Sequence, residues 1–407
     1  MHLSSRVIGI PDSITMKLNE RAITLSEEGK VIYNLSGGQL PIKPLAEFVE
    51  KIHHQLNFLK SYQYCPSAGF PALRKKLLKH FYETRQVPSE IFDTVLDCIL
   101  SNGSKHSIYN ALGAIIDPGD EVVLLAPFWV SYPEMVKFWG GTPSVVKSNV
   151  FDAFVPAIDD IRKIMSPRTK CIILNSPNNP SGVHYSEAWM KDFAAFLKDY
   201  PEVVVISDEV YSEISYFDPK PSYFYQCNHS LLNQTIVIRA ISKTLASTGL
   251  RLGYTIAPKG VVEAMSRIQG QTTSGPNSLI QRALMDFDLS LIESFLSPVR
   301  NHVRANAATL REKFREGNLG HCWYQSTSAF YFLIDFSRTP MFQKFGSGED
   351  EDQSYKIADE LLFKEGIAVV PGHDFGMNNT ARISLVIEEI PFAEAVTKIV
   401  RYLNKTN

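Results

Sequence analysis

The chain has 407 residues, 44% apolar and 21% charged, with 41 basic against 43 acidic side chains and a net charge of −2. That length calls for roughly two domains of about 100–200 residues, and the composition excludes a disordered tail, a collagen-like repeat and a small stapled module. A near-neutral chain has no global field to draw it to nucleic acid or an anionic membrane, so its ligand is expected to be small and held in a pocket.

In chain order, Met1–Pro11 carries only His2 and Arg6 as basic groups and no apolar core of a secretory signal. No apolar run approaches the length of a bilayer span. Residues 1–44 are too short to fold alone and are expected to pack as an arm on a smaller C-terminal domain. Between residues 45 and 289, β-rich runs alternate with helical stretches. Seven strands are expected at Cys98–Ser101, Glu121–Ala126, Pro143–Val146, Lys170–Asn175, Val203–Ser207, Thr235–Arg239 and Leu252–Ala257. Helical periodicity falls between them, at Lys105–Ile116 and at Tyr185–Lys198, where Trp189, Phe193 and Phe196 form a stripe. Near-continuous apolar strands imply burial on both faces, so the fold class is α/β: a mostly parallel seven-stranded sheet with helices on both sides. From residue 290 the pattern changes to a long charged helix through Arg311 and Lys313, a strand at Ala329–Asp335, a solvated acidic loop at Gly346–Asp352 and a final αβα stretch. This is the expected smaller α+β domain, 290–407. The five cysteines are scattered, with no C-x-x-C pair, which suggests core packing in a reducing cytoplasm and no metal site.

Open α/β sheets bind ligands at the carboxyl ends of their strands. Those ends supply Gly103-Ser104-Lys105, Pro127-Phe128-Trp129, Asn175 to Asn179, Asp208 to Tyr211, and Ser242-Lys243. Together they form an anion seat, an aromatic plate, an amide, a carboxylate with a phenol, and a lysine. Such a set is complementary to pyridoxal phosphate, which needs its phosphate held, its ring covered, its ring nitrogen tuned and an amine supplied. Taken singly, each residue has a plainer role: a surface lysine for Lys243, a helix cap for Asp208, core aromatics for Tyr211 and Trp129, and an ordinary turn starter for Asn179.

The order and spacing of the motifs decide between these readings. Tyr64-Cys65-Pro66-Ser67-Ala68-Gly69 with Leu73-Arg74, Asp117-Pro118-Gly119-Asp120-Glu121, and Ala126-Pro127-Phe128-Trp129-Val130-Ser131-Tyr132-Pro133 come first. Asn175-Ser176-Pro177-Asn178-Asn179-Pro180-Ser181-Gly182, Ser207-Asp208-Glu209-Val210-Tyr211, and Ser242-Lys243 with Gly249-x-Arg251-x-Gly253-Tyr254 follow. Over nearly its whole length the chain resembles the class I aminotransferases of the fold-type I pyridoxal phosphate family, close to the bacterial aspartate aminotransferases. The resemblance implies that Lys243 forms the Schiff base and shuttles a proton, a role that needs an amine with a lowered pKa. Arg251 would supply a neighbouring cation and hold the cofactor phosphate with Gly103, Ser104, Lys105 and Ser242. Asp208 would pair with the pyridine nitrogen, Tyr211 would donate to the phenolate oxygen and Trp129 would stack on the ring. Asn179 would touch both cofactor and substrate, Gly38 would let backbone approach the substrate, and Arg382 would take the α-carboxylate as the domains close. An arginine alternating with apolar residues is otherwise an edge-strand device.

The same resemblance implies a homodimer, with Tyr64 and Ser274 reaching the neighbouring subunit's phosphate. Lys105, with Ser13 as companion, would meet a distal carboxylate, which favours aspartate or glutamate as amino donor and 2-oxoglutarate as acceptor; otherwise Lys105 only helps seat the phosphate or forms a surface pair. Aromatic, alanine or prephenate aminotransferases and a C–S lyase are the same-fold alternatives. A cofactor-binding regulator is disfavoured, since 44 residues leave no room for a DNA-binding unit ahead of the expected large domain. Ala240, Ser247, Ser328 and Gln39 depart from the family's usual residues without removing a reacting group.

Overall fold

The computed structural model describes residues 2–4, 8, 14–344 and 352–405. Ser13 and residues 346–351 of the expected acidic loop lie outside them. In chain order the strands are β1 (Tyr33–Asn34), β2 (Leu96–Ser101), β3 (Glu121–Leu125), β4 (Thr142–Val146), β5 (Thr169–Asn175), β6 (Val204–Asp208), β7 (Thr235–Ala240), β8 (Gly253–Pro258), β9 (Tyr331–Asp335), β10 (Ile367–Ala368), β11 (Val370–Pro371) and β12 (Thr380–Ser384).

Strands β2 to β8 form one seven-stranded sheet in the order β2-β8-β7-β6-β5-β3-β4. Successive side chains along a strand point to opposite faces, and here both faces are apolar. Val122, Leu124, Ile173, Ile206 and Ile238 enter one core, while Val123, Leu125, Ile172, Leu174 and Val237 enter the other. That is why these strands read as unbroken apolar runs. The second core is filled from the helix Glu187–Phe196 by Met190, Phe193 and Phe196. The Ser186 side chain starts this helix by accepting the Trp189 N–H, so it begins two residues later than the apolar stripe suggests, and it ends in a tight turn at Leu197–Asp199.

Two further details differ from expectation. Strand β8 is antiparallel to both β2 and β7, because Ile241 N–H donates to Leu252 O at 3.2 Å and closes the connection after β7 as a wide hairpin. Asp208 is the last residue of β6, not the first beyond it: it pairs with Asn175 and Ile238, and Glu209 N–H extends the ladder to Ile238 O at 2.9 Å. The helix-cap reading of Asp208 is thereby excluded.

Between β3 and β5 the chain order reverses, since β4 lies outside β3 while β5, β6 and β7 run the other way. Loops leaving β3 and β5 diverge there and open a crevice at the carboxyl ends of the strands. The C-terminal part closes it from one side. In its three-stranded sheet, β12 lies between β11 and β9, antiparallel to both. The N-terminal arm joins this part, not the large sheet: β1 pairs parallel with β10, and Leu35 donates to Ala368 O at 2.9 Å and accepts from Ser384 N–H at 2.8 Å. A 26-residue helix, Leu291–Glu316, spans the two halves, with Arg304 donating to Tyr216 O at 2.6 Å and Asn306 to Leu385 O at 3.0 Å.

The loop after β5 is fastened directly to the strand β9 region. Gly182 has φ +70°, its carbonyl accepts Thr327 and Ser328 N–H at 2.8 and 2.9 Å, and a Cβ there would stand 2.0 Å from Tyr331 O. A side chain would meet both left-handed strain and a backbone clash. Gly182→Ala is expected to destabilise the protein by about 2 kcal/mol or more, read as a lowered thermal unfolding midpoint; an unchanged midpoint would refute this fastening.

Candidate active site

The crevice holds a pocket of about 370 Å³ lined from three directions: by the carboxyl ends of β5, β6 and β7, by Gly38 of the N-terminal arm, and by Tyr331 and Arg382 of the C-terminal sheet. Its charged residues are Lys105, Lys243, Arg251 and Arg382 against one carboxylate, Asp208. Among the described residues, Lys243, Arg251 and Arg382 donate to carbonyl oxygens and to the Asn179 amide oxygen, not to carboxylates. The pocket is built for anions.

Lys243 sits in the single helical turn Ile241–Thr244 that follows β7. Its Nζ donates to Gly38 O and lies 5.7 Å from the Tyr211 ring centre. Burial, then the positive charges of Arg382 and Arg251, push its pKa down to about 7 against the opposing pull of Asp208. A neutral, nucleophilic amine is therefore available near pH 7.

Asp208 is buried at the end of β6, where burial raises its carboxyl to about 6 against a lowering by the Tyr132 hydroxyl, which donates to Oδ2 at 2.6 Å. Asn175 Nδ2 donates to the Asp208 carbonyl and its Oδ1 accepts Asn179 N–H, at 2.9 and 2.8 Å, so one amide aligns two strand ends. Tyr211 is buried with its hydroxyl 3.1 Å from that of Tyr331, and burial holds its phenol well above the ordinary range.

The anion seat depends on two glycines. Gly103, φ +83°, opens the helix Ser104–Ile115, whose first N–H groups have no helical partners. A Cβ on Gly103 would stand 2.6 Å from the Arg251 guanidinium, and one on Gly253 would stand 2.5 Å from Ser104 N. Only without those side chains can the turn, β8 and Arg251 converge. Ser104, Ser242 and Arg251 all line the pocket. Arg251 is fixed by donating to Thr248 O at 3.0 Å and Asn102 O at 3.4 Å.

Opposite this seat, Arg382 is 3% exposed on the central strand of its sheet, which excludes the edge-strand reading. It donates to Ser36 O at 2.7 Å and Asn179 Oδ1 at 3.1 Å, and its guanidinium lies 4.5 Å from the Tyr331 ring centre. Among the described residues its buried Nε has no partner, which leaves donor capacity for a ligand. Lys105 holds its Nζ 4.9 Å from the Trp129 ring centre, and burial together with Arg251 lowers its pKa.

The expected residues Gly38, Ser104, Lys105, Trp129, Asn179, Asp208, Tyr211, Ser242, Lys243, Arg251 and Arg382 therefore line one pocket, with Gly103 packed on Arg251 behind it. Tyr64 and Ser274 are not brought there. Tyr64 is 91% exposed on a separate surface cleft shared with Gly275 and Pro276, and Ser274, which precedes Gly275 in the chain, is exposed. Sequence reasoning missed Asn175, Tyr132 and Tyr331. Asn175 and Tyr132 lie within quoted motifs and Tyr331 within the expected strand Ala329–Asp335, but their role depends on contacts across 33, 76 and 120 residues.

A doubly wound sheet whose carboxyl ends present a lowered-pKa lysine, a buried carboxylate and two anion seats defines an enzyme of the fold-type I class. The pattern that defines the family described as "Aminotransferase class I and II" matches residues 30–399, and the chain belongs to that family. It is 32% identical to a probable aspartate/prephenate aminotransferase of Thermus aquaticus, over 98% of this chain and 99% of that one. It is 28% identical to the aspartate aminotransferase of Geobacillus stearothermophilus, over 99% of both. Among solved structures, the aspartate aminotransferase of Thermus thermophilus with maleate superimposes with a TM-score of 0.87 at 29% identity, covering 99% of this chain and 100% of that one.

The lowered pKa of Lys243 has a stability consequence. Below pH 7 the amine is charged in both folded and unfolded states, and burying that charge disfavours folding in full; between about 7 and 10.5 the unfolded state binds more protons, so the penalty fades as pH rises. Cofactor-free Lys243→Met is thus expected to unfold at higher temperature than the parent at pH 6, with the advantage shrinking towards pH 10. Thermal melts across that range check the sign.

Proposed function

We propose that the chain moves an amino group from an L-amino acid, with aspartate and glutamate favoured, to a 2-oxo acid such as 2-oxoglutarate, using pyridoxal 5'-phosphate. The observation that carries this reading is the Lys243 amine, brought near neutrality between Arg251 and Arg382 and facing Asp208 in an anion-lined pocket. The residues present fit the cofactor: a glycine cradle that any Cβ would fill, a helix N-terminus and Arg251 suit a phosphate, and a buried carboxylate near pKa 6 suits a ring nitrogen. Bound there, pyridoxal phosphate supplies an aldehyde for amines and a ring that withdraws electrons from the substrate Cα.

The chain's own residues supply the rest. Gly103, Ser104, Ser242 and Arg251 would hold the phosphate, Trp129 would cover the ring, and Tyr211 and Asn179 would donate to its phenolic oxygen. Asp208 would keep the ring nitrogen protonated. Lys243 Nζ, neutral near pH 7, would be the base that receives the proton from the substrate Cα. Arg382, pre-set by Ser36 O and Asn179, orients the α-carboxylate so that Cα faces that amine.

Lys105 on the pocket rim is read as meeting a second carboxylate, in keeping with the dicarboxylate maleate named for the Thermus thermophilus structure. Residues 1–44, 45–289 and 290–407 are read as arm, large unit and small unit. Tyr64 and Ser274, exposed away from the pocket, are read as serving the site of a second copy in a cytoplasmic homodimer.

Two experiments test this. Borohydride reduction of the cofactor-loaded protein is expected to abolish its near-ultraviolet band and leave a cofactor-sized mass on the peptide containing Lys243; label on Lys105 instead would overturn the assignment. Kinetics separate the two carboxylate sites. Arg382→Ala should weaken every amino acid alike by about 1.5–3 kcal/mol, the worth of a charge-assisted pair. Lys105→Ala should lower kcat/KM for aspartate and glutamate by roughly ten- to a hundredfold, about 1.4–2.7 kcal/mol, and spare alanine and phenylalanine. A uniform loss with weaker cofactor retention would assign Lys105 to the phosphate.

A further inference from the structure

Tyr132 lies outside the set of residues that the proposed chemistry uses, yet its hydroxyl donates to Asp208 Oδ2 at 2.6 Å, with the two residues only 1% and 4% exposed. We propose that Tyr132 is a positioning residue for amino transfer, holding the Asp208 carboxylate ionised and leaving Oδ1 as the oxygen available to a donor in the pocket. Among the described residues, Oδ1 has only a long 3.4 Å bond, from Val210 N–H.

The sequence places this donor by local geometry. Tyr132 follows Trp129 by three residues at the start of the helix Ser131–Phe138, donates its N–H to Trp129 O at 3.0 Å, and meets the Trp129 ring edge-on at 5.5 Å and 84°. One turn of chain thus carries both the aromatic plate and the group behind the carboxylate. Burial and the Asp208 charge hold the Tyr132 phenol well above its ordinary range, so it remains a donor wherever the protein is folded. A donor favours the carboxylate over the carboxyl form.

The other groups facing Asp208 leave the balance close. Glu209 and Tyr211 follow it in the chain, and Lys243 faces it from the turn after β7. Lys243 favours the carboxylate. Glu209 opposes it, but its own charge is answered by Arg85 at 2.9 Å and by the Tyr225 hydroxyl at 2.7 Å. Burial outweighs the rest and brings the Asp208 carboxyl to about 6, near enough to the working range for one hydrogen bond to decide its state.

The proposal rests on the reading of Asp208 as partner of the ring nitrogen, so its first test omits the cofactor. Infrared difference spectra of the cofactor-free protein, referenced to Asp208→Asn, follow the Asp208 carboxylate through a pH titration. In Tyr132→Phe its midpoint is expected to rise by about one unit or more, a tenfold gain in proton affinity. In the loaded protein the acid limb of cofactor retention, followed by dialysis, should rise in parallel. Adding Tyr132→Phe to Asp208→Asn should move nothing further, whereas a merely structural role would lower retention in both backgrounds. Replacing Tyr132 by 3-fluorotyrosine, the same fold with a stronger donor, should lower the midpoint, and this arm carries the test if the Phe variant does not fold. An infrared midpoint that stays in place in either variant overturns the proposal. A midpoint that shifts without any change in retention supports Tyr132 and counts against the reading of Asp208.

Discussion

Cations gathered at the carboxyl ends of the sheet around the buried carboxylate of Asp208 are the constraint around which the rest of this molecule is arranged. A buried guanidinium or ammonium without an anionic partner is costly, and here Arg382 and Lys243 have carbonyl oxygens in place of carboxylates. The arrangement persists because each group is held by backbone on one side and faces a pocket on the other. An anionic ligand completes what the fold leaves open. The same crowding of positive charge, added to burial, brings the Lys243 amine down to about 7, so anion binding and nucleophilicity share one physical cause.

Holding these groups together draws on three distant stretches of chain. The arm before residue 44 reaches the pocket because β1 pairs with β10, which carries the Ser36 and Gly38 carbonyls to Arg382 and Lys243. The hairpin from β7 to β8 folds Arg251 back over the Gly103 turn, and both glycines at the crossing are required by contact distances below 3 Å. Strand β12 delivers Arg382 from the middle of a sheet, where neighbours on both sides fix its direction. Helices, strands or their ends therefore carry Lys105, Asp208, Lys243 and Arg382, while Arg251 is held in the connection before β8 by its bonds to Thr248 O and Asn102 O.

A further set of polar side chains, two of them (Asn175 and Tyr331) on the pocket wall, is given no contact with a ligand in the proposed chemistry. Tyr132 on Asp208, Asn175 between two strand ends, Tyr331 on Tyr211, and Arg85 on Glu209 are all buried or partly buried and bonded. Such partners set the orientation and protonation of the groups in front of them. Asp208 illustrates the balance, since burial alone would favour its neutral form and the tyrosine opposes this.

Apolar runs long enough for strands, a helix-opening glycine, and a lysine eight residues before an arginine were legible in the amino-acid order, because local spacing decides those features. They led to the α/β sheet, the pocket at its carboxyl end and most of the residues that line it. The direction of β8, the central place of β12 and the end of β6 at Asp208 were not legible, since pairing partners lie elsewhere in the chain and leave no mark on a strand's own residues. Tyr132 and Asn175 stood inside recognised motifs and Tyr331 inside an expected strand, yet nothing in those stretches distinguishes a core phenol or a turn amide from one that bonds a residue of the pocket. Only the tertiary structure decides that, because a hydrogen bond between residues 76 or 120 positions apart is set by the packing of whole elements and not by local sequence.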